Sequence, residues 1–331
     1  MRELILRPFA RTVSINGWTR YALVLAFAAA IAFFAVFAPA FATLSNIDSV
    51  LLNTVAPLAI VALAMTAVAS LGAVDLSVGT AVDLASLVFV TLVARHVGLS
   101  IAVVAALGAA LAVGLFNGVL IASFGVEPFL ATLGTLFIGQ SVQQLATDGG
   151  QPIYLLNQVL PQAFSMLGHG RLFGVALPLY LVAALACILH LLLARSRHGR
   201  GITVLGVQAG VAHYSGLPVR ALLYLAFGLS AVSSGLVGLI LSSNVKAYVP
   251  LAGNGYLLNA IGATFVGATL SSSRRPNVPG TLVGVLLLGF ATNGLLLVGW
   301  NFYWQQVAIG ILIFIVLAVG TLSSPRRAGI G

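Results

Sequence analysis

The chain has 331 residues, of which 60% are hydrophobic and 6% charged, with a net charge of +9 and a mean hydropathy of +1.11. A soluble domain carries about 25% charged residues, so this composition excludes a water-soluble globular protein and defines a many-spanning membrane protein. The positive balance, which in a soluble chain points to nucleic acid, here marks loops held on the cytoplasmic side, and no nucleic-acid partner is expected.

Apolar runs fall near residues 21–42, 50–71, 79–97, 99–121, 128–146, 174–194, 219–243, 257–271, 281–299 and 303–322. At about 20 residues per crossing, the sequence predicts an all-α integral membrane protein of about ten transmembrane helices. Alternating ten-residue stretches, the mark of a membrane β-barrel, are absent. The first run, "RYALVLAFAAAIAFFAVFAPAFA", ends in small residues resembling a signal cleavage site. Its apolar core exceeds the roughly 7–15 residues of a signal region, so it reads as an uncleaved first helix. Farther on, "LGAVDLSVGTAVDL" (71–84) sets two glycines around Asp75, which predicts a break between two helices. Gly114 and Gly118 form a small-xxx-small pair suited to close helix approach. Pro128 stands where a helix begins, since its missing N–H costs nothing there. The segment 147–173 is the longest between two runs and is rich in Gly, Pro, Asn and Gln. A loop this long is usually functional, and a short helix over the mouth of the bundle is expected in it. The segment 195–219 carries Arg195, Arg197 and Arg200, with Arg220 just beyond, and no acid.

Ten crossings with the N-terminus inside place Arg2, Arg7, Arg11, Arg20, Arg195, Arg197, Arg200, Arg220, Arg274, Arg275, Arg326 and Arg327 on the inner face. Arg95, Arg171 and Lys246 fall on the outer face. This asymmetry predicts cytoplasmic termini, with 1–20 and 195–219 inside and 147–173 outside. No compositional break divides the chain, so 1–331 reads as one domain.

Several chemistries have no residues to carry them. The sole lysine, Lys246, lies in "SNVKAY", far from any Gly-Lys-Ser/Thr loop, so no phosphate cradle of that kind exists here. The histidines at 96, 169, 190, 198 and 213 show no metal-ligand spacing, and neither a metal site nor an enzyme is expected. The single cysteine, Cys187, excludes an internal disulfide and reads as a small buried apolar residue. Among six acids, only Asp75 and Asp83 fall within membrane reach. Capping of a helix start is preferred for Asp75. For Asp83, capping and ion coupling stand equal.

Four stretches taken in order, "GAVDLSVG" (72–79), "EPFLATLG" (127–134), "TVLGVQAGVAHYSGL" (203–217) and "GYLLNAIGA…PGTLVGVLLLGFATNGL" (255–295), resemble the permease subunit of ribose-type sugar ABC importers. The resemblance covers most of residues 50–322. It implies a bacterial inner-membrane location and a sugar or sugar-like solute, whether pentose, hexose or polyol. It further implies a periplasmic sugar-binding protein, a separate cytoplasmic ATPase that holds the ATP and Mg, and a second permease subunit, either a copy or a cousin. The loop 195–219 then carries a coupling helix that docks on the ATPase, with Gly201, Val204, Gly206, Val207, Gly210, Val211, Tyr214 and Gly216 as its residues. Val204, Val207, Val211 and Tyr214 recur at helical spacing and would form one docking face. Asn53, Asn117, Phe129, Thr132, Thr135, Asn259 and Asn293 are candidates for the solute path, and each polar one also serves as helix–helix glue. Asp75, Gly79 and Pro128 are structural or capping candidates. The chain departs from the family pattern at Leu257-Leu258, Ala268, Arg274-Arg275 and Gln208. The alternative is a stand-alone ion-coupled transporter or facilitator using Asp75 or Asp83.

Overall fold

A computed structural model describes residues 19–156, 158–271 and 273–322. Residues 1–18 of the expected inner segment 1–20, with Arg2, Arg7 and Arg11, and the terminal Arg326 and Arg327 lie outside the described residues.

Each of the ten apolar runs forms helix. They are α1 (Thr19–Phe37), α2 (Leu44–Val50) continuing into α3 (Ala56–Ala69), α4 (Val78–Ala94), α5 (Leu99–Gly118), α6 (Pro128–Ala146), α8 (Leu177–Arg195), α11 (Val219–Val245), α12 (Asn254–Ala268), α13 (Val278–Leu297) and α14 (Phe302–Leu322). Between the fifth and sixth runs lies α7 (Gln162–His169), the short helix expected in 147–173. After α8 come α9 (Arg197–Val207) and α10 (Ala209–Tyr214). Among the described residues, five helical segments are long and apolar enough to cross a bilayer: Leu44–Ala69, Leu99–Ser123, Leu177–Arg195, Val219–Val245 and Val278–Leu297. The all-helical expectation needs one small amendment. Four two-residue strands pair antiparallel, β1 (Ile153–Tyr154) with β4 (Ala247–Tyr248) and β2 (Arg171–Leu172) with β3 (Val175–Ala176).

Local sequence explains the helix joints. Residues Leu51–Val55 form a single π turn between α2 and α3, with the Ala56 N–H bonding to the Leu51 carbonyl. Pro57, in the first turn of α3, brings no N–H to the ladder, and such a gap is where an extra residue is accommodated. The break predicted around Asp75 is present: α3 stops at Ala69, Gly72 turns with φ +80°, and α4 starts at Val78. On α6, Pro128 is the first residue, and the Glu127 carboxylate accepts the Leu130 N–H at 3.1 Å.

Packing sorts the helices into a centre and a rim. All fourteen residues of α3 are buried, against α8, α11, α12 and α13. The α5–α11 pair closes over glycine: a Cβ on Gly114 would lie 2.5 Å from the Phe227 carbonyl oxygen, and one on Gly118 would lie 2.5 Å from the Tyr224 ring. The small-xxx-small pair therefore does bring two backbones together. The rim includes α5 and α8, largely uncovered by the rest of the chain. Cys187 on α8 is exposed rather than buried. An apolar helix in a membrane needs no protein cover, so hydrophobicity alone did not reveal which way it faces.

Candidate functional site

The basic loop is built from the end of α8 onward. Ser196 caps α9: its Oγ accepts the Gly199 N–H at 3.0 Å and donates to the Leu192 carbonyl at 2.6 Å. α9 is amphipathic, with Gly199, Gly201 and Ile202 buried. Gly201 lies against Leu222 of α11. Gly206 lies against the chain just after α3, where a Cβ would fall 2.3 Å from the Ser70 carbonyl oxygen and 3.0 Å from the Gly72 nitrogen. Backbone thus meets backbone, and a cavity of about 100 Å³ beside the contact is lined by Ser70, Thr203, Val207 and Arg275.

The expected single helix with one docking face requires correction. Gln208 is extended (φ −157°, ψ 94°), which ends α9 and starts α10 in a new direction. Val204 is partly buried, so it leaves the proposed face. Val207, Val211 and Tyr214 are exposed, Tyr214 by 93%. α10 ends where Gly216 adopts φ +69°, a left-handed turn suited to glycine. Gly210 has open space around its Cα. The helical spacing of the apolar residues survives as three exposed side chains on two short helices.

From Gly72 the chain runs inward to a buried polar network. Asp75, 1% exposed, accepts from the Ser77 N–H at 2.9 Å and the Ser77 Oγ–H at 2.6 Å through Oδ1, and from the Ser230 Oγ–H at 2.9 Å through Oδ2. Asn117 Nδ2 donates to Ser77 Oγ at 2.7 Å, and Thr135 Oγ1 donates to Asn117 Oδ1 at 2.6 Å. Thr132 Oγ1 reaches the Pro128 carbonyl at 2.9 Å and the Val74 carbonyl at 3.3 Å. Three path candidates, Asn117, Thr132 and Thr135, are therefore brought together, buried, around the 72–77 segment. Thr132 reaches the non-helical backbone at Val74, while Thr135 and Asn117 form a chain of side-chain bonds to Ser77, which satisfies polar groups inside the bundle as a membrane demands.

The remaining candidates are dispersed. Asn293 Oδ1 accepts from Asn46 Nδ2 at 2.9 Å, and Asn293 Nδ2 donates to Asn46 Oδ1 at 3.2 Å. Asn53 donates to Ser49 Oγ at 3.3 Å and Asn259 to the Gly255 carbonyl at 3.1 Å, each within its own helical segment, and both remain accessible. Phe129 is 47% exposed. Gly79 packs against Gly253, where a Cβ would lie 3.0 Å from the Gly253 carbonyl carbon.

Sequence reading missed Ser77, Ser230 and Gly253, and it places Gln143 among the hydrogen-bonding groups of its helix without a partner. Ser77 stood inside "VDLSVG" and Gln143 among the polar residues Thr132, Thr135 and Gln140 of its helix, so both carried a signal. Ser230 and Gly253 carried none. Three of the six acids share one use: Asp75 accepts at the approach to α4, Glu127 at the start of α6, and Asp83 from the Gly253 N–H, at 2.7 Å, at the start of α12. Asp48 instead forms an ion pair with Arg171. Hydrogen bonding to Asp48 and its charge raise the Arg171 pKa above the ordinary guanidinium value.

The described residues form a glycine-packed helical bundle with several helices long and apolar enough to cross a membrane. The chain belongs to the family described as branched-chain amino acid transport system / permease component, whose model matches residues 46–317. It is similar to the ribose import permease protein of Escherichia coli strain K12, with 32% identity over 87% of this chain and 89% of that protein. The ribose import permease protein of Bacillus subtilis strain 168 is 33% identical over 81% of this chain and 82% of its own length. The galactofuranose transporter permease protein of E. coli K12 is 31% identical over 81% and 78%. No solved structure matches.

Proposed function

We propose that this chain is the membrane-spanning subunit of an ATP-driven importer that moves a sugar or sugar-like solute, a pentose, hexose or polyol, across the bacterial inner membrane. The relatives named for ribose and galactofuranose support the solute class. All ten helical runs cross the membrane, both termini and the 195–219 loop face the cytoplasm, 147–173 faces the periplasm, and residues 1–331 act as one permease domain in contact with lipid. A periplasmic binding protein delivers solute to the 147–173 side. A second permease subunit, a copy or a homologue, completes the path. ATP and Mg reside on the cytoplasmic ATPase, and this chain performs no covalent chemistry. Asn53 and Asn259, which keep accessible amides, are its solute-path residues, with Phe129 beside them in role.

One observation carries the proposal: Val207, Val211 and Tyr214 stand exposed between arginines on a loop whose backbone presses on Ser70–Gly72. Exposed apolar side chains ringed by charge mark a protein interface, and the contact beneath them leads to the Asp75 network. ATP-driven closure of the partner pushes α9 and α10, and the 70–77 segment conveys the displacement to α4, α5, α6 and α11. Removing the two anchors on α10 tests this. The double variant Val211→Ala/Tyr214→Ala is expected to bind the ATPase about tenfold more weakly, the equivalent of about 1.4 kcal/mol. Copurification from detergent over a range of ATPase concentrations measures it, and unchanged binding contradicts the docking face.

A further inference from the structure

The chain between α11 and α12, residues 246–253, is not helical, and although Lys246, Val249 and Ala252 are exposed, it buries Ala247, Tyr248 and Gly253. Ala247 is 2% exposed, Tyr248 is fully buried, and Gly253 is buried as well. Backbone in that position needs hydrogen-bond partners from elsewhere. It receives them from two side chains on other helices. Asp83 of α4 accepts the Gly253 N–H through Oδ1 at 2.7 Å. Gln143 of α6 accepts both the Leu251 N–H and the Tyr248 O–H through Oε1, each at 3.0 Å. Just after strand β1, the Leu155 N–H bonds to the Lys246 carbonyl at 2.9 Å.

Gly253 is the residue immediately before α12. Asp83 therefore caps α12 from a different helix, with its carboxylate at the positive end of that helix's dipole. The approach is close: a Cβ on Gly253 would lie 2.3 Å from the Gly79 carbonyl oxygen. Yet the attachment is only half satisfied. The Asp83 and Gln143 side chains lie close enough to interact, but Asp83 Oδ2 and Gln143 Nε2, both buried, complete no hydrogen bond of good geometry, and no lysine or arginine forms an ion pair with Asp83 among the described residues. Lys246 and Leu251, within the same stretch, hold left-handed φ of 50° and 61°. Unsatisfied buried polar atoms and left-handed non-glycine residues both cost free energy and concentrate where a structure has a second arrangement available.

We propose that Asp83 and Gln143 are positioning residues for translocation: together they fasten the 246–253 stretch, and hence the start of α12, to α4 and α6. This rests on the permease reading above, in which the stretch lies toward the periplasmic half of the bundle. Release of the fastening frees the start of α12 to move as the path opens to that side, and its re-formation closes the path.

The test uses the full chain with its only cysteine replaced (Cys187→Ser) and a reporter placed in the stretch (Ala247→Cys). A membrane-impermeant maleimide applied to right-side-out vesicles reads how often residue 247 is uncovered, and this signal does not depend on transport. Asp83→Ala and Gln143→Ala are each expected to raise the labelling rate about tenfold, equivalent to about 1.4 kcal/mol. Asp83→Asn keeps an oxygen for the Gly253 N–H and is expected to restore slow labelling. ATP-driven uptake, measured in parallel, is expected to fall in the two alanine variants and to recover in Asp83→Asn. Labelling that stays within twofold of the parent in a correctly inserted alanine variant overturns the proposal. If Asp83→Ala does not insert, Gln143→Ala decides the matter alone. Absence of sugar uptake by the parent would count against the permease reading only, because the labelling rates still judge the fastening.

Discussion

Gly206→Val is expected to abolish coupled uptake while the protein still inserts. A Cβ at this position would stand 2.3 Å from the Ser70 carbonyl oxygen and 2.8 Å from the Leu71 carbonyl carbon. The obstacle is backbone, which cannot rotate out of the way as a flexible side chain can. The branched side chain must therefore lift α9 off the end of α3, at a cost of about 1–3 kcal/mol for overpacking. In this account α9 is the only described element between the docking face and Ser70–Gly72, so lifting it breaks the transmission. Uptake in proteoliposomes containing the ATPase is expected to drop about tenfold to a hundredfold, with ATP hydrolysis continuing. Gly210→Val supplies the control. Gly210 has nothing within 4 Å of an added Cβ, so the same side chain four residues on leaves uptake within about twofold of the parent. Equal loss at both positions would mean that bulk anywhere in the loop is harmful and that the Gly206 contact has no special part.

Asp75→Ala is expected to be the most destabilising single change in the bundle. It leaves the Ser77 N–H, the Ser77 hydroxyl and the Ser230 hydroxyl without their acceptor, all of them buried. Each buried donor left unpaired costs about 1–3 kcal/mol. The loss extends along Ser77 to Asn117 and Thr135, because those bonds orient one another. We expect a total of at least about 3 kcal/mol, seen as a lower melting temperature of the detergent-purified protein. Asp75→Asn retains one acceptor oxygen and should fall between parent and alanine. Thr135→Val, which removes only the far end of the chain of bonds, should cost less than either. A melting temperature for Asp75→Ala equal to that of the parent would show that the carboxylate does not hold the segment.

How much of this was legible beforehand follows from the range of the interactions involved. The ten helices, the break at Gly72, the helix start at Pro128 and the close α5–α11 approach at Gly114 depend on neighbours within a turn or two, and the sequence carries them openly. The interruption at Gln208 does not: the apolar spacing of Val204, Val207, Val211 and Tyr214 fits a continuous helix, and only the seating of Gly206 against Ser70 shows where α9 must stop. The outward face of Cys187 was hidden because an apolar residue in a membrane is equally at home against lipid or protein. The buried network was half visible. Asp75, Asn117, Thr132 and Thr135 stood out as polar residues in apolar surroundings, but their common purpose depends on Ser230, which is 155 positions from Asp75. Asp83 likewise meets its partner Gly253 across 170 positions, so the sequence offers capping beside ion coupling without deciding between them or naming the helix that is capped.

The sidedness of the 195–219 loop is the most direct test of the whole account. A single reporter, Tyr214→Cys in the Cys187→Ser background, is treated with a membrane-impermeant maleimide in vesicles of both orientations. We predict labelling in inside-out vesicles only, and protection when the purified ATPase subunit is added. Labelling of Tyr214→Cys in sealed right-side-out vesicles would place the loop on the periplasmic face, out of reach of any cytoplasmic motor, and would contradict the account.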